Sequence, residues 1–560
     1  MELVECVPNI SEGRDARVID AVAAEVARVQ GATLLNVDPG AETNRTVYTF
    51  VGAPAAVLEA AFRLCARSVE LIDMRGHKGA HARIGAVDVV PFVPVAGVTM
   101  AACVDLARRL GGRIGRELKL PVYLYEEAAS AAHRRNLADI RAGEYEGLTE
   151  KLKDAAWRPD FGPAHFVARS GATVVGARKF LVAYNVNLNT RDKRLANRVA
   201  FDVREKGRQR RDERGEPVFD AKGEPVFDAG ILKSVKATGW SIPEYGCAQI
   251  SMNLTDVDAV PIHVAFDTCD ERARARGLRV TGSEIVGMVP CAVLVDAARH
   301  YLRRMGRSAG LPELALVEIA ARSLGLGESK PFDAEERVIE HRTRGPARLA
   351  GMTLRAFVDE LSSDSPAPGG GSVAALAGAL GAALAAMVAN ISHSAKGFEA
   401  RQAELEQLAI TAQELKERFL IAVDADTAAF DDLLAAMRLP KTSPEEIDVR
   451  THAVAAATLR AIEVPLGVLE ACPRVIELCG TVDRVGLAAS RSDVGVGVQM
   501  ARAGAAGAYQ NVCINLPGLT DKTAARALAL RADAAWARVC DLHRQAETQI
   551  LKGLRDAVPA

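Results

Sequence analysis

The chain has 560 residues, too many for one hydrophobic core, so three or four domains are expected. Hydrophobic residues make up 49% and charged residues 25%, and 70 basic against 71 acidic residues leave a net charge of −1. That balance excludes a polyanion-binding surface built on bulk charge. The dense cluster Arg208, Arg210, Arg211 and Arg214 is broken by Asp212 and Glu213 and reads as a solvated loop, so no nucleic-acid partner is expected.

Residues 1–180 alternate strand and helix signals. ELVECVPNI reads as a strand and RDARVIDAVAAEVARVQ as an amphipathic helix; ATLLNVD and NRTVYTFVG read as two strands joined by a turn. The helix AAVLEAAFRLCARSVELI follows, then the strand AVDVVPFVPV, a helix near 101–117 and the strand VYLYEEA. The order βαββαβ predicts an α+β, ferredoxin-like subdomain. It recurs over 181–332: strand KFLVAYNVNL, helix DKRLANRVAFDVREK, strands LKSVKATGW and AQISMNLTD, a helix near 260–276 and the strand EIVGMVP. Two such subdomains side by side predict a cleft between them. Within the second, GEPVFDAK and GEPVFDAG form a tandem repeat at 215–230, too short for a solenoid and expected to enlarge a surface loop.

Helical signal runs from about 291 to 325, and the charged stretch 333–349 reads as a linker. From 350 to 560 strand patterns fade and an all-α helical-bundle domain is predicted, with helices over 400–420, 422–438, 445–471, 493–507 and 521–555. Its stretch 365–395 carries no Asp, Glu, Lys or Arg and imitates a membrane span. Being mostly Ala and Gly it gains little from lipid. Leu376, Leu380, Leu384, Met387 and Ile391 form one stripe, while Gly378, Gly381 and Ala385 leave another smooth enough for close helix approach, so a buried bundle helix and no membrane span are expected. The ten cysteines include no C-x-x-C pair, which argues against a zinc ribbon or a disulfide framework and for a reducing, cytoplasmic setting. MELVECVPNISEGRD has early acids and no long apolar core, unlike a signal peptide.

Three places carry candidate chemistry. In DMRGHKGAHARIGAVD, His77 and His81 stand four apart, the spacing of a zinc-binding helix, but Gly76 and Gly79 disfavour a helix by about 1 kcal/mol each and no Glu lies between the histidines. Beside Lys78 and Arg83, at the start of a strand, a proton-transfer loop is the better reading, with Asp38 at the end of another strand able to orient an imidazole or stabilise a cation. Gly369, Gly370, Gly371 and Ser372 precede the Ala-rich helix and offer free N–H groups to an anion. Asp424 and Asp426 form an acidic pair on a helical pattern with apolar neighbours.

Taken together, VECVPNISEGRD, NVDPGAETNRTVYTFVG, HKGAHARIGAVD, VYLYEEAA, WRPDFGP and GARKFLVAYNVNLNT resemble glutamate formimidoyltransferase. SPAPGGGSVAAL, VDADTAAFDDLLAAMRLPK and AYQNVCINL resemble formimidoyltetrahydrofolate cyclodeaminase, so nearly the whole chain resembles the bifunctional family. The resemblance implies histidine degradation: a formimidoyl group passes from N-formimidoyl-L-glutamate to N5 of tetrahydrofolate, and ring closure onto N10 then expels ammonia. Tetrahydrofolate, often polyglutamylated, would be the carrier, with no metal, and the chain would assemble as a homo-oligomer, a ring-shaped octamer in the family.

By motif position the resemblance makes His81 the base of the transferase, with Asp38 stabilising the intermediate and Arg83 close by, and Asp426 the catalytic carboxylate of the second half. It assigns folate to 162–171, with Gly162, Pro163, Phe166 and Gly171, and to 230–239, with Gly230, Lys233, Lys236 and Gly239. The Gly369–Ser372 helix start is expected to take the folate tail or a pterin edge. Ala80 and Ala82 stand where relatives commonly carry Glu and Pro, which predicts a changed rate. The stretch 479–493 is longer than its usual counterpart, and the 205–229 insertion lies near the expected folate site. The contrasting expectation is a folate-binding structural oligomer whose sites have decayed.

Overall fold

The computed structural model describes residues 2–556 except 42, 80–81, 222, 243–245, 329–330, 344–347 and 366. The chain divides into two compact units: Met1–Val293 with Leu324–Thr343, and Leu294–Ser323 with Arg344–Ala560. It is a multidomain protein with α/β sheet domains first and a helical region after them.

The first sheet begins with a broken strand, β1 (Leu3–Cys6) and β2 (Asn9–Ile10), followed by α1 (Ala16–Ala27), β3 (Ala32–Gly40), β4 (Arg45–Gly52), α2 (Pro54–Leu71) and β5 (Val87–Ala96). β4 lies between β3 and the broken strand, and β5 pairs on the broken strand's other side, all antiparallel. After α3 (Met100–Arg113), β6 (Val122–Glu126), α4 (Leu137–Arg141) and α5 (Leu148–Lys151), β7 (Thr173–Ala177) inserts in parallel between β5 and β6. Sequence reading missed β7: all five of its residues are buried, on both faces, so they show no alternation to detect.

The second subdomain runs β8 (Val182–Leu188), α6 (Lys193–Val203), the two-residue strands β9 (Arg208–Gln209) and β10 (Phe227–Asp228), which pair only with each other, β11 (Val235–Ile242), β12 (Cys247–Leu254), α7 (Ile262–Arg274) and β13 (Val280–Val286); β8, β11, β12 and β13 form the second sheet. Its order is β11-β12-β8-β13, antiparallel throughout. β13 ends at Val286, just before Gly287, whose φ is +81°, so the strand lies four residues earlier than EIVGMVP suggests. The duplicated octapeptide closes on itself: Val218 N–H donates to Arg210 O, Val226 N–H to Val218 O, and Arg210 N–H to Val226 O, at 2.8–2.9 Å. Asp212 and Asp220 accept from the backbone N–H of Glu216 and Glu224 at equivalent turns.

The remaining elements are α8 (Cys291–Arg304), α9 (Glu313–Leu324), α10 (Ala334–Arg337), α11 (Ile339–Thr343), α12 (Leu354–Leu361), α13 (Gly370–Ser394), α14 (Gln402–Met437), α15 (Pro444–Val485), α16 (Arg491–Asn515) and α17 (Lys522–Asp556). The stretch 333–349 is not simply a linker. α10 and α11 fold within the sheet unit, and Ile339 packs with Leu3, Leu35 and Val51, so two apolar residues in a charged run were enough to bury it. The expected helices 400–420 and 422–438 are one continuous α14, which no Gly or Pro interrupts.

α13 packs on α14, α15 and α16 through its small residues. A Cβ at Gly378 would lie 2.7 Å from the Phe419 ring, and one at Gly381 2.7 Å from Gly497 O. Leu380 and Ile391, on the stripe of larger residues, are instead 48% and 45% exposed. By length and composition both α13 and α15 could cross a bilayer, but 61% of the apolar window of α13 is buried inside the bundle.

Candidate functional site

Alternation along the first strand separates two environments. Val4 and Cys6 pack with the helices, whereas Leu3 and Glu5 face the other way, and farther along Val7 and Asn9 line a cleft of about 930 Å³. Arg45, Tyr125, Arg141 and Arg178 line it from the first subdomain, and Ser234, Lys236 and Asp256 from the second. Burial and the neighbouring Arg141 push Arg45 below its ordinary value, with Asp88 and Asp38 acting against them. Asp38 is exposed and pairs in register with Val47, two residues along β4 from Arg45, so both project from the cleft face. Asp88 is fully buried; it accepts from Ile84 N–H at 3.1 Å and pairs with Arg141. Glu5 is pushed up to about 7 by burial, with Arg178 opposing. A cleft with these cations suits a ligand carrying several carboxylates.

The loop read as catalytic enters this region after α2. Met74–Gly76 form a single 3-10 turn and His77 is extended, so the zinc-helix geometry is not formed. His77 Nε2 lies 3.0 Å from Asn44 O, and its Nδ1 accepts from Arg83 Nε at 3.2 Å. Arg83 is 7% exposed and pairs with Glu144 at 2.6 Å and Glu146 at 2.7 Å; the Glu146 bond is the main reason its guanidinium is raised. Gly79 has to be glycine, since a Cβ there would stand 2.2 Å from Thr43 O. Ala82 lines the cleft; His81 itself lies outside the described residues.

Of the two stretches assigned to folate, the second reaches the cleft through Lys236, and Lys233 is exposed near it in sequence. Gly230 and Gly239 pack tightly against α6 or the chain that leaves it, with Cβ positions 2.0 Å from Arg204 O and 2.3 Å from Asn197 N. Gly162, Pro163, Phe166 and Gly171 are not among the residues lining this cleft. Gly162 and Gly171 have φ of +80° and +70° and pack against the carbonyls of Leu120 and Ile84, while the Phe166 ring sits 5.3 Å from that of Tyr145.

In the helical unit two candidates that are 54 residues apart meet. Ser372 Oγ lies 3.2 Å from Asp426 Oδ2 and donates to Val423 O at 2.9 Å, and the Ser372 backbone N–H also serves Asp426. Asp426 therefore sits on the N-terminus of α13, where helix N–H groups favour negative charge. Burial nevertheless raises its carboxyl above the ordinary value, and the Ser372 bonds only partly offset this. A Cβ on Gly371 would fall 2.1 Å from Asp426 Oδ1, so the absent side chain is what admits the carboxyl. Gly370 faces Asn511 of α16, its Cβ position 3.4 Å from Nδ2, and Gly369 has open space. Asp424 instead accepts from Leu349 N–H at 2.6 Å, a structural bond.

Sequence reasoning missed Arg45, Arg141, Glu144 and Glu146. The last two flank Tyr145 at i, i+2 spacing, the one pattern that could have marked them as facing a common partner.

Family models match three stretches: "Formiminotransferase domain, N-terminal subdomain" at 3–178, "Formiminotransferase domain" at 183–344 and "Formiminotransferase-cyclodeaminase" at 353–534. The chain is 43% identical over 523 residues to the formimidoyltransferase-cyclodeaminase of Rattus norvegicus, covering 93% of each. A glutamate formimidoyltransferase of Streptococcus pyogenes is 38% identical over 54% of this chain and 94% of its own length. A methenyltetrahydrofolate cyclohydrolase of Methylorubrum extorquens is 37% identical over 30% of this chain and 82% of its own length.

Proposed function

This chain belongs to the formimidoyltransferase-cyclodeaminase family, and we propose that it carries out both reactions of the name. The formimidoyl group of N-formimidoyl-L-glutamate passes to N5 of tetrahydrofolate, releasing glutamate. N10 then attacks the same carbon and ammonia departs, leaving 5,10-methenyltetrahydrofolate. The observation that carries the reading is the joining, in one chain, of a cation-lined cleft with a second unit holding a burial-raised carboxyl on a helix N-terminus.

In the transferase, N5 attacks the amidine carbon and must shed a proton, while the glutamate nitrogen must gain one as its bond to carbon breaks. His81, by its place in the motif, takes the first proton and returns it to the leaving nitrogen. Asp38 stabilises the amidinium-like charge between the two steps, and Arg83 secures the loop. Arg45 and Lys236 supply charge for the carboxylates of glutamate and of a folate tail, polyglutamylated or not. In the cyclodeaminase, Asp426 protonates the departing nitrogen so that it leaves as ammonia; burial raises its affinity for a proton, the direction a proton donor needs. Of the residues assigned to folate by motif, Lys236 has the most support because it lines the cleft, which Gly162, Pro163, Phe166, Gly171, Gly230, Lys233 and Gly239 do not.

The shared order βαββαβ, with antiparallel pairing of second, third, first and fourth strands, supports a ferredoxin-like reading of both sheet subdomains. A homo-oligomer is supported by Val373, Leu380, Met387 and Ile391, exposed large residues spaced seven or four apart on α13. Leu380→Glu with Met387→Glu is expected to reduce the mass measured by light scattering, while a single unchanged species would remove this face from the assembly. Ten free cysteines support a reducing, cytoplasmic location.

One incubation with N-formimidoyl-L-glutamate and tetrahydrofolate tests the function. Glutamate, ammonia and methenyltetrahydrofolate should appear in equal amounts, and His81→Ala should stop glutamate release while ammonia release from supplied 5-formimidoyltetrahydrofolate continues. Glutamate without ammonia would reduce the protein to a transferase, and no glutamate would sink the transferase reading.

A further inference from the structure

The loop that carries His81 is fastened before that residue by Asn44 and after it by two glutamates that hold Arg83. On the near side Asn44, at φ +47°, donates from Nδ2 to Lys78 O at 3.0 Å and accepts from Gly13 N–H at 3.0 Å through Oδ1. Asparagine is one of the few residues that takes this left-handed backbone readily. On the far side Arg83 makes a two-pronged bond to Glu146, with Nη1–Oε2 at 2.9 Å and Nη2–Oε1 at 2.7 Å, and a further bond from Nη1 to Glu144 at 2.6 Å. Only Ala80, His81 and Ala82 separate the Gly79 and Arg83 anchors.

His77 joins the two sides. Arg83 Nε can only donate and Asn44 O can only accept, so His77 has to be neutral, with the proton on Nε2 and a lone pair on Nδ1. Neither ring nitrogen is left for a metal or a substrate. The glutamates come from a bend in which Gly143 and Glu144 have φ of +85° and +53°. A non-glycine residue in that region stores strain, which is held only where surrounding bonds over-determine it. The same segment is tied to β5 by Arg141 and the fully buried Asp88, whose carboxylate also takes Ile84 N–H, one residue beyond Arg83.

We propose that Glu146, Glu144 and the neutral His77 are positioning residues of the transferase, clasping Arg83 and acting through it on His81, two residues before it in the chain. The proposal rests on His81 acting as the base. On this reading the clasp acts through Arg83 and not on a reacting atom, so its loss should lower turnover without weakening binding: displacement of about 1 Å at a proton-transfer group costs up to about 100-fold in rate.

The test is steady-state kinetics on the full-length enzyme, with ammonia release from supplied 5-formimidoyltetrahydrofolate as an internal control in the other unit. Glu146→Ala is expected to lower transferase kcat about 10–100-fold, with KM for both substrates within about twofold. Glu146→Gln, which keeps an acceptor but loses the charge and half the fork, should fall between. His77→Asn, which can place an acceptor near the Nδ1 position, should retain several-fold more turnover than His77→Leu. An unchanged kcat in Glu146→Ala, or a raised KM at unchanged kcat, would overturn the clasp. Equal loss in His77→Asn and His77→Leu would remove His77 from it. If Glu146→Ala does not fold, the Gln variant and the His77 pair decide. A wild-type enzyme that makes no glutamate would instead refute the transferase reading, before any variant is compared.

Discussion

Replacing Asp426 by Asn should lower ammonia release about 100–10,000-fold, the range supplied by a positioned acid, while glutamate release from N-formimidoyl-L-glutamate continues. The substitution keeps shape and both Ser372 contacts but cannot deliver a proton. Its effect on stability should run the other way. Burial raises the Asp426 carboxyl above 3.8, so its ionisation is disfavoured in the folded chain. A raised carboxyl contributes stability that is fully present below the unfolded value and is lost as pH rises through the folded value. The Asn variant has no such loss. Its melting temperature relative to the native chain should therefore improve from acid toward pH 8, as expected where function holds a group in an unfavourable setting. A variant that releases ammonia at the native rate would remove Asp426 from catalysis. A melting difference independent of pH would mean that the carboxyl is not perturbed.

Gly371→Ala should abolish most of the same activity without touching a titratable group. The added methyl would lie 2.1 Å from Asp426 Oδ1 and 2.5 Å from its Cγ, distances no real contact sustains. The helix start is packed against Val423 and Thr427 through Ser372, so the carboxyl, on the more flexible side, gives way. A loss of about 100-fold in ammonia release is expected, with a stability cost of about 1–3 kcal/mol from overpacking. Gly369→Ala is the informative comparison, because nothing lies within 4 Å of its added methyl. If the glycines serve mainly to seat Asp426, Gly369→Ala loses far less than Gly371→Ala. Equal losses, with weaker folate binding in both, would restore the glycine run as a folate contact.

Much of this protein could be read in one dimension. Alternation at period two and at 3.6 located most long strands and helices, because each had one face to bury. The resemblance to the family singled out His81 over His77 and Asp426 over Asp424 as expected site residues, and the glycine run stood out as the start of a helix. Period alone did not reveal β7, buried on both faces, nor the α10–α11 segment, whose charge concealed two apolar anchors. On α13 the glycine stripe was legible as the surface for close helix approach, and the helices do meet there, while larger residues of the other stripe stay exposed.

Local sequence determined what each segment was able to become: which residues alternate, where glycine permits a turn, which groups carry a proton. Only the tertiary structure decided what those groups meet. Asp426 finds Ser372 across 54 residues, and Arg83 finds Glu146 across 63. Such pairings depend on how sheets and helices close in space, and both the burial that raises one carboxyl and the fork that holds one guanidinium arise from that closure.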